Sequence, residues 1–250
     1  MKTTRSVPDI AYVPETRIGF WFLGSETWTR HVLQVALDDL ERLIPQRQPT
    51  YPIVLDAGCG QGKSFRLLIE HFAPERLIGV DAEVKCLQRA EVEALKEKIP
   101  IELRRCDLAA LDMADASVDL VFCHQTFHHL MRQRMALAQI SRVLKPGGLL
   151  LFAESTRAYI HSWIIRLFFR HPMDVQRSAA EYLAFERGKH VLVILTDADN
   201  RYSDGAQNNS RGNSPNPSGA AAPPVYPSAT NPQWPTAAAT PTHTCRPSTP

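Results

Sequence analysis

The segment with the clearest chemistry is Val54-Leu-Asp56-Ala-Gly58-Cys-Gly60-Gln-Gly62-Lys63-Ser64, where an apolar run enters closely spaced glycines. Glycine tolerates positive φ and lets backbone N–H groups approach a ligand without an intervening Cβ. If a helix follows, its N-terminus adds partial positive charge, which suits an amino-acid carboxylate or a nucleotide phosphate. Three ligand classes compete for such a turn. A dinucleotide fingerprint needs G-x-G-x-x-G, and the third glycine here comes one residue early. A phosphate-binding loop needs G-x-x-x-x-G-K-[ST], and Ala57 stands where its first glycine belongs, ahead of Gly62-Lys63-Ser64. In that reading the strand ending at Asp81 would hold a metal. The third class is S-adenosylmethionine, for which Asp56-x-Gly58-x-Gly60-x-Gly62 fits without adjustment.

Asp81 separates these readings. It closes a second apolar run, Leu77–Asp81, about twenty residues beyond the glycines, where a carboxylate can accept hydrogen bonds from ribose hydroxyls. A phosphate-loop protein has no need of a ribose acceptor there. An Asp at a strand end can also simply form a turn. Further along, His124, His128 and His129 form an H-x-x-x-H-H cluster. Histidine titrates near neutrality and can act as a general base. His124 is the candidate by position, whereas His129 reads as a packing residue. His124 and His128 have helical i, i+4 spacing, but a third ligand and a supporting carboxylate are not evident, so no metal is expected.

Taken in order, VLDAGCGQG, LIGVDAE, RRCDLAALDMADASVDLVFCHQTFHHL and RVLKPGGLLLFAES resemble the successive motifs of the class I S-adenosylmethionine-dependent methyltransferase domain, over residues 52–154. The resemblance implies that Gly58 and Gly60 line the methionine part of the cofactor, with Gly62 at the helix start. Asp56 would lie beneath the turn, orienting its backbone or meeting the cofactor's ammonium group. Asp81 would take the ribose, with Ala82 beside the adenine. Asp107 would accept from the adenine amino group, and Leu108 would offer its backbone N–H. His124 and Gln125 would border the sulfonium and the way in for substrate. The implied activity is methyl transfer to a small acceptor. The alternatives are a methyltransferase-like remnant or cofactor-binding module without activity, and a phosphate-loop nucleotide-binding protein.

The elements that must position these residues alternate along the chain. Apolar spacing predicts a helix over 25–44, with Trp28, Val32, Val35, Ala36, Leu40 and Leu43 on one face and Pro45 as its stop. Strands are expected at 53–56, 77–81, up to about 107, 118–123 and 149–153. Helices are expected from the glycine turn to about Phe72, over 83–98 and over 131–144. Pro146-Gly147-Gly148 reads as a turn. The pattern is a Rossmann-like, mostly parallel α/β sheet with helices on both faces. A helix over 178–187 and a strand over 190–195 follow, without a credible seventh strand, so the C-terminal strand pair is expected to be incomplete. Three regions result: residues 1–50 as an N-terminal segment on the substrate side, 51–198 as the methyltransferase domain, and 199–250 as a tail. In that tail Pro, Ser, Thr and Ala dominate and Asp204 is the only acid. Disorder, or translation of a shifted reading frame, would give this composition.

Specificity is expected outside the shared motifs. Ile18–Leu23 is an aromatic run, and 159–170 is largely apolar with Arg166 and Arg170 interspersed. The latter could cover a lipophilic acceptor, lie at a membrane surface or pack as a core helix. The 250 residues are 44% hydrophobic with a formal net charge of +2, enough for one sizeable core and too balanced for a protein built to grip nucleic acid. Five cysteines without a CxxC pair argue against a disulfide framework or cysteine zinc site. With no apolar leader or membrane span, a cytoplasmic location is expected.

Overall fold

The computed structural model describes residues 13–183, 191–196 and 246–247. The expected tail at 199–250 lies outside the described residues, apart from Arg246–Pro247, as does the second half of the helix expected over 178–187.

The sheet is built by β1 (Ile53–Ala57), β2 (Arg76–Asp81), β3 (Ile101–Arg105), β4 (Val118–His124), β5 (Leu144–Glu154), β6 (Val191–Thr196) and β7 (Arg246–Pro247). Their order is β6-β5-β4-β1-β2-β3-β7. The first six are mutually parallel, and the two-residue β7 pairs antiparallel with β3. β6 lies directly beside β5, with no antiparallel strand between them. The chain reverses its direction of winding at β1, which has β2 on one side and β4 on the other. Parallel sheets open a crevice at the carboxyl ends of the strands at such a point.

Side chains alternate across the strands, as a period of two requires. Val54, Leu77, Leu120 and Leu149 join one core with Leu37, Leu40, Phe65, Leu68 and Phe72. Leu55, Ile78, Val121 and Leu150 join the other with Ala136, Ile140, Phe152 and Tyr182. The helices behind the first core are α3 (Gln34–Arg42) and α4 (Phe65–Phe72). That behind the second is α6 (Gln133–Val143). Both faces are therefore covered, which explains the apolar runs Leu77–Val80, Leu120–Cys123 and Leu149–Ala153.

Two local expectations are corrected. The helix expected over 25–44 is α2 (Glu26–Trp28), a π segment over Thr29–Leu33, and then α3. The wider π turn shifts the phase of the apolar stripe. Leu33, Leu37 and Leu40 are buried, while Val35 and Leu43 face outward. The turn at Pro146–Gly148 is absorbed into β5 as an irregularity, with Gly147 at φ +77° and the register shifting between Val118 and Leu120.

Residues 159–170 form two short helices, α7 (Arg157–Ile160) and α8 (Trp163–Phe168). Ile160 and Ile165 are buried, but Trp163 is 74% exposed and Leu167 64%, so α8 is no core helix. Its C-terminal end meets the N-terminal segment, where Phe169 packs edge-on against Phe22 at 6.1 Å. Cys59, Cys86 and Cys123 are free. Cys106 is buried. No helix among the described residues is long and apolar enough to cross a membrane.

Candidate active site

The glycine turn leaves the end of β1 at the reversal point. Gly58, Gly60 and Gly62 have φ of +87°, +52° and +75°. The first is held by a close neighbour, since a Cβ on Gly58 would sit 2.1 Å from Cγ2 of Thr126. The N–H groups of Gly58 and Cys59 both donate to the carbonyl of Val80, at 2.8 and 2.9 Å, which seats the turn on β2. Gly60 has open space where a side chain would be, and its N–H donates to Asp81 Oδ2 at 2.8 Å. Gly62 faces away. A Cβ there would meet Phe65 and, at 2.9 Å, the backbone of Ala90 in α5 (Val84–Ala94), so this glycine serves helix packing.

These residues open onto a cavity of about 410 Å³. Asp56, Gly58, Gly60, Asp81, Ala82, Asp107, Leu108, His124 and Gln125 all line it, so of the expected site residues only Gly62 lies outside the wall. Asp56 is buried and accepts a hydrogen bond from the Ser64 hydroxyl. Burial, added to the nearby Asp81 carboxylate, raises its pKa to about 7. Burial also raises Asp81, although the backbone N–H of Glu83 donates to its Oδ1 at 2.8 Å. Asp107 accepts from the N–H of Ala109 at 2.8 Å and pairs with Arg132. Burial pushes the Cys59 and Cys86 thiols up, which keeps both as neutral wall residues and not nucleophiles.

The far wall hangs from the end of β4. Gln125 takes φ +51°, a left-handed conformation that costs energy for a residue with a side chain, and its Oε1 accepts from Ser155 Oγ at 2.7 Å. Behind it Glu154, the last residue of β5, is buried and accepts from the N–H groups of Thr126 (2.8 Å), Phe127 (2.6 Å) and His128 (3.4 Å). It also meets His128 Nδ1 at 2.6 Å. This one carboxylate fixes the turn that carries Gln125 and Thr126. The Thr126 hydroxyl then reaches the Gly58 carbonyl at 3.2 Å, joining the two walls. Thr126 and Glu154 lie within the motif stretches RRCDLAALDMADASVDLVFCHQTFHHL and RVLKPGGLLLFAES, but no local spacing marks either for a role. Their roles come from β4 and β5 being neighbours.

His124 ends β4 instead of opening a helix, which removes the helical spacing with His128. Its ring stacks on Phe122 at 5.8 Å and lies against Trp28 at 5.8 Å. Its Nε2 is buried with no hydrogen-bond partner among the described residues. Burial, with His128 nearby, lowers its pKa to about 3. The expectation of a base poised near neutrality is thereby corrected, because this imidazole stays neutral and accepts a proton poorly.

The phosphate-loop reading loses its chemistry here. Lys63 Nζ binds Glu93 at 2.9 Å, and the Ser64 hydroxyl is spent on Asp56. A phosphate loop keeps both for phosphate and metal.

Residues 55–152 match the family model described as a methyltransferase domain. The chain carries a class I, S-adenosylmethionine-dependent methyltransferase domain. Over 105 residues this domain is 35% identical to a probable S-adenosylmethionine-dependent methyltransferase of Mycolicibacterium smegmatis, covering 42% of this chain and 38% of that protein. It is 36% identical over 114 residues to an uncharacterized methyltransferase-like protein of Schizosaccharomyces pombe, covering 45% and 41%. It is 37% identical over 97 residues to the trans-aconitate 2-methyltransferase of an Azoarcus species, covering 39% and 36%. The chain thus spans about two fifths of the length of each of these relatives. The methyltransferase domain supplies the glycine side of the cavity. Residues before it, among them Glu15, Phe20 and Trp28, also line the cavity, and the Gln61 amide of the glycine turn donates to the Phe20 carbonyl at 2.6 Å.

Proposed function

We propose that the chain is an active methyltransferase that moves the methyl group of S-adenosylmethionine to a small, lipophilic acceptor. The observation that carries this reading is one cavity lined by two kinds of residue. Asp56, Asp81, Asp107 and the glycine backbone line it together with the apolar Phe20, Leu23, Trp28 and Leu33. The cofactor has a polar, charged body to bind, and the acceptor must meet it without water.

Residue by residue, the fit favours this cofactor. Asp56 is a buried carboxylate whose partner is a neutral hydroxyl, and a ligand ammonium would offset the cost of ionising it. Gly58 and Gly60 bring backbone close to the same place. Asp81 would accept from ribose hydroxyls, Ala82 would flank the adenine, and Asp107 with the Leu108 N–H would read its edge. When bound, S-adenosylmethionine supplies a methyl carbon already activated by a positive sulfur. The protein's part is to hold the acceptor in line and to exclude water, which can supply most of the acceleration. His124 and Gln125 border that position. With a depressed pKa, His124 is suited to orient the acceptor through Nε2 more than to take its proton. An acceptor that must lose a proton would release it to solvent or to a neighbouring group.

A transfer assay with isotopically labelled S-adenosylmethionine tests this. The full chain is offered two acceptor sets, one aromatic or aliphatic and the other of polar metabolites. Label is expected in the first set. Label confined to polar metabolites would refute the lipophilic acceptor, and no transfer despite cofactor binding would favour a binding module.

A further inference from the structure

We infer that His128, His129 and His171 form a binding site for a divalent transition-metal ion, with zinc the best match, and that Glu15 stands ready as fourth ligand. One nitrogen from each histidine lies within 4.8 Å of the others. The rings cluster closely, with centroids 4.4 Å apart for His128 and His129 and 5.0 Å for His128 and His171, both tilted, and 4.7 Å for the stacked His129 and His171. A tetrahedral zinc, bound at about 2.0–2.1 Å, sets ligand nitrogens about 3.4 Å apart. The cluster reaches that geometry with side-chain movements of about an ångström.

Three further features distinguish this from casual histidine packing. First, His128 Nδ1 is held by the buried Glu154 carboxylate at 2.6 Å, leaving Nε2 for an ion. A carboxylate behind a ligating histidine is the usual means of fixing its tautomer and raising its basicity. Second, the loop bearing His171 is pinned to His128. The Gln176 amide donates to the His128 carbonyl at 2.9 Å and to the Pro172 carbonyl at 2.7 Å. Third, Glu15 lies 4.0 Å from His129 Nε2, with both carboxylate oxygens buried and met only weakly by the backbone of Thr16 and Arg170. An unsatisfied buried carboxylate is costly, and a cation among three imidazoles would remove the cost.

Imidazole donors suit zinc, copper, iron and nickel and disfavour magnesium and calcium. The ligands come from three separate parts of the chain: the N-terminal segment, the turn after β4, and the loop after α8. Glu15 and His129 also line the cavity. The ion would therefore clamp the N-terminal segment onto the methyltransferase domain beside the acceptor, a role independent of which acceptor is used.

The test titrates the purified, chelator-treated full chain with zinc against a chromophoric competitor, and repeats it with cobalt to read visible absorption. One equivalent is expected, with the intense cobalt bands of a tetrahedral nitrogen-rich site. His171→Gln and His129→Gln should each weaken zinc by at least ~100-fold, beyond the 10–100-fold usual for a group behind a ligand. Glu15→Gln should weaken it less, and His161→Gln, at an exposed histidine outside the cluster, should leave it unchanged. Circular dichroism confirms that each variant is folded. Stoichiometric zinc binding that survives both His171→Gln and His129→Gln in folded protein would overturn the site, as would the absence of saturable binding.

Discussion

The two sides of the cavity differ in how completely their polar groups are satisfied. On the glycine side, Asp56 accepts from Ser64, Asp81 from Gly60 and Glu83, and Asp107 from Ala109, with each partner supplied by nearby backbone or side chain. On the histidine side, both oxygens of Glu15 and Nε2 of His124 are buried without a well-formed hydrogen bond among the described residues. The contrast has a physical meaning. The first side is preorganised by its own hydrogen bonds, whereas the second holds buried polar atoms whose cost only a ligand, ion or substrate can offset.

The contrast can be broken most forcefully at Glu154, which organises the turn between the two sides. Glu154→Gln replaces an acceptor-only group facing three N–H donors and His128. Thermal or urea unfolding should show a loss of about 1–3 kcal/mol, the usual cost of leaving buried hydrogen-bonding groups unsatisfied. A change under 1 kcal/mol would mean that the turn is held elsewhere.

Asp56 gives the next effect, and it has a direction in pH. Its folded pKa is about 7 against an ordinary 3.8. Between those values the unfolded carboxyl ionises while the folded one keeps its proton, so the favourable contribution present below pH 4 is lost as pH rises through 7. The full difference corresponds to about 4 kcal/mol. Asp56→Asn keeps an acceptor for Ser64 and cannot ionise, so its stability should decline less between pH 4 and 7. Parallel stability curves for the two proteins would contradict this.

Asp81→Asn sharpens the comparison on the cofactor side. Charged hydrogen bonds contribute about 1.5–3 kcal/mol, which predicts ~10–100-fold weaker binding of S-adenosylmethionine by calorimetry. His124→Phe is the smallest test and belongs to the other side. It preserves the stacking on Phe122 and removes the orphan nitrogen, so the unfolding midpoint should hold or rise while turnover falls. A fall in stability with unchanged turnover would make His124 a packing residue.

The two sides also differed in how much their sequence revealed. The glycine turn was legible because its ligands are contiguous and its strand-turn-helix frame has a strong local pattern. Asp81 and Asp107 were legible because strand periodicity placed them at or just past strand ends. Thr126 and Glu154 were not, since they meet only when β4 lies against β5. The proximity of Glu15 and His171 to His128 and His129 was illegible for the same reason. His124 was placed correctly, but its protonation was misjudged, because burial cannot be read from a strand-end position. The phase error in the N-terminal helix came from a π segment, which no apolar pattern announces.

The central claim is that the glycine side is a receptor for S-adenosylmethionine and not for a phosphate. Calorimetric titration of the full chain with S-adenosylmethionine, S-adenosylhomocysteine and ATP tests it most directly. Saturable one-to-one binding of the first two, with none for ATP, is the predicted result. Binding of ATP alone, or of none of the three, would contradict it.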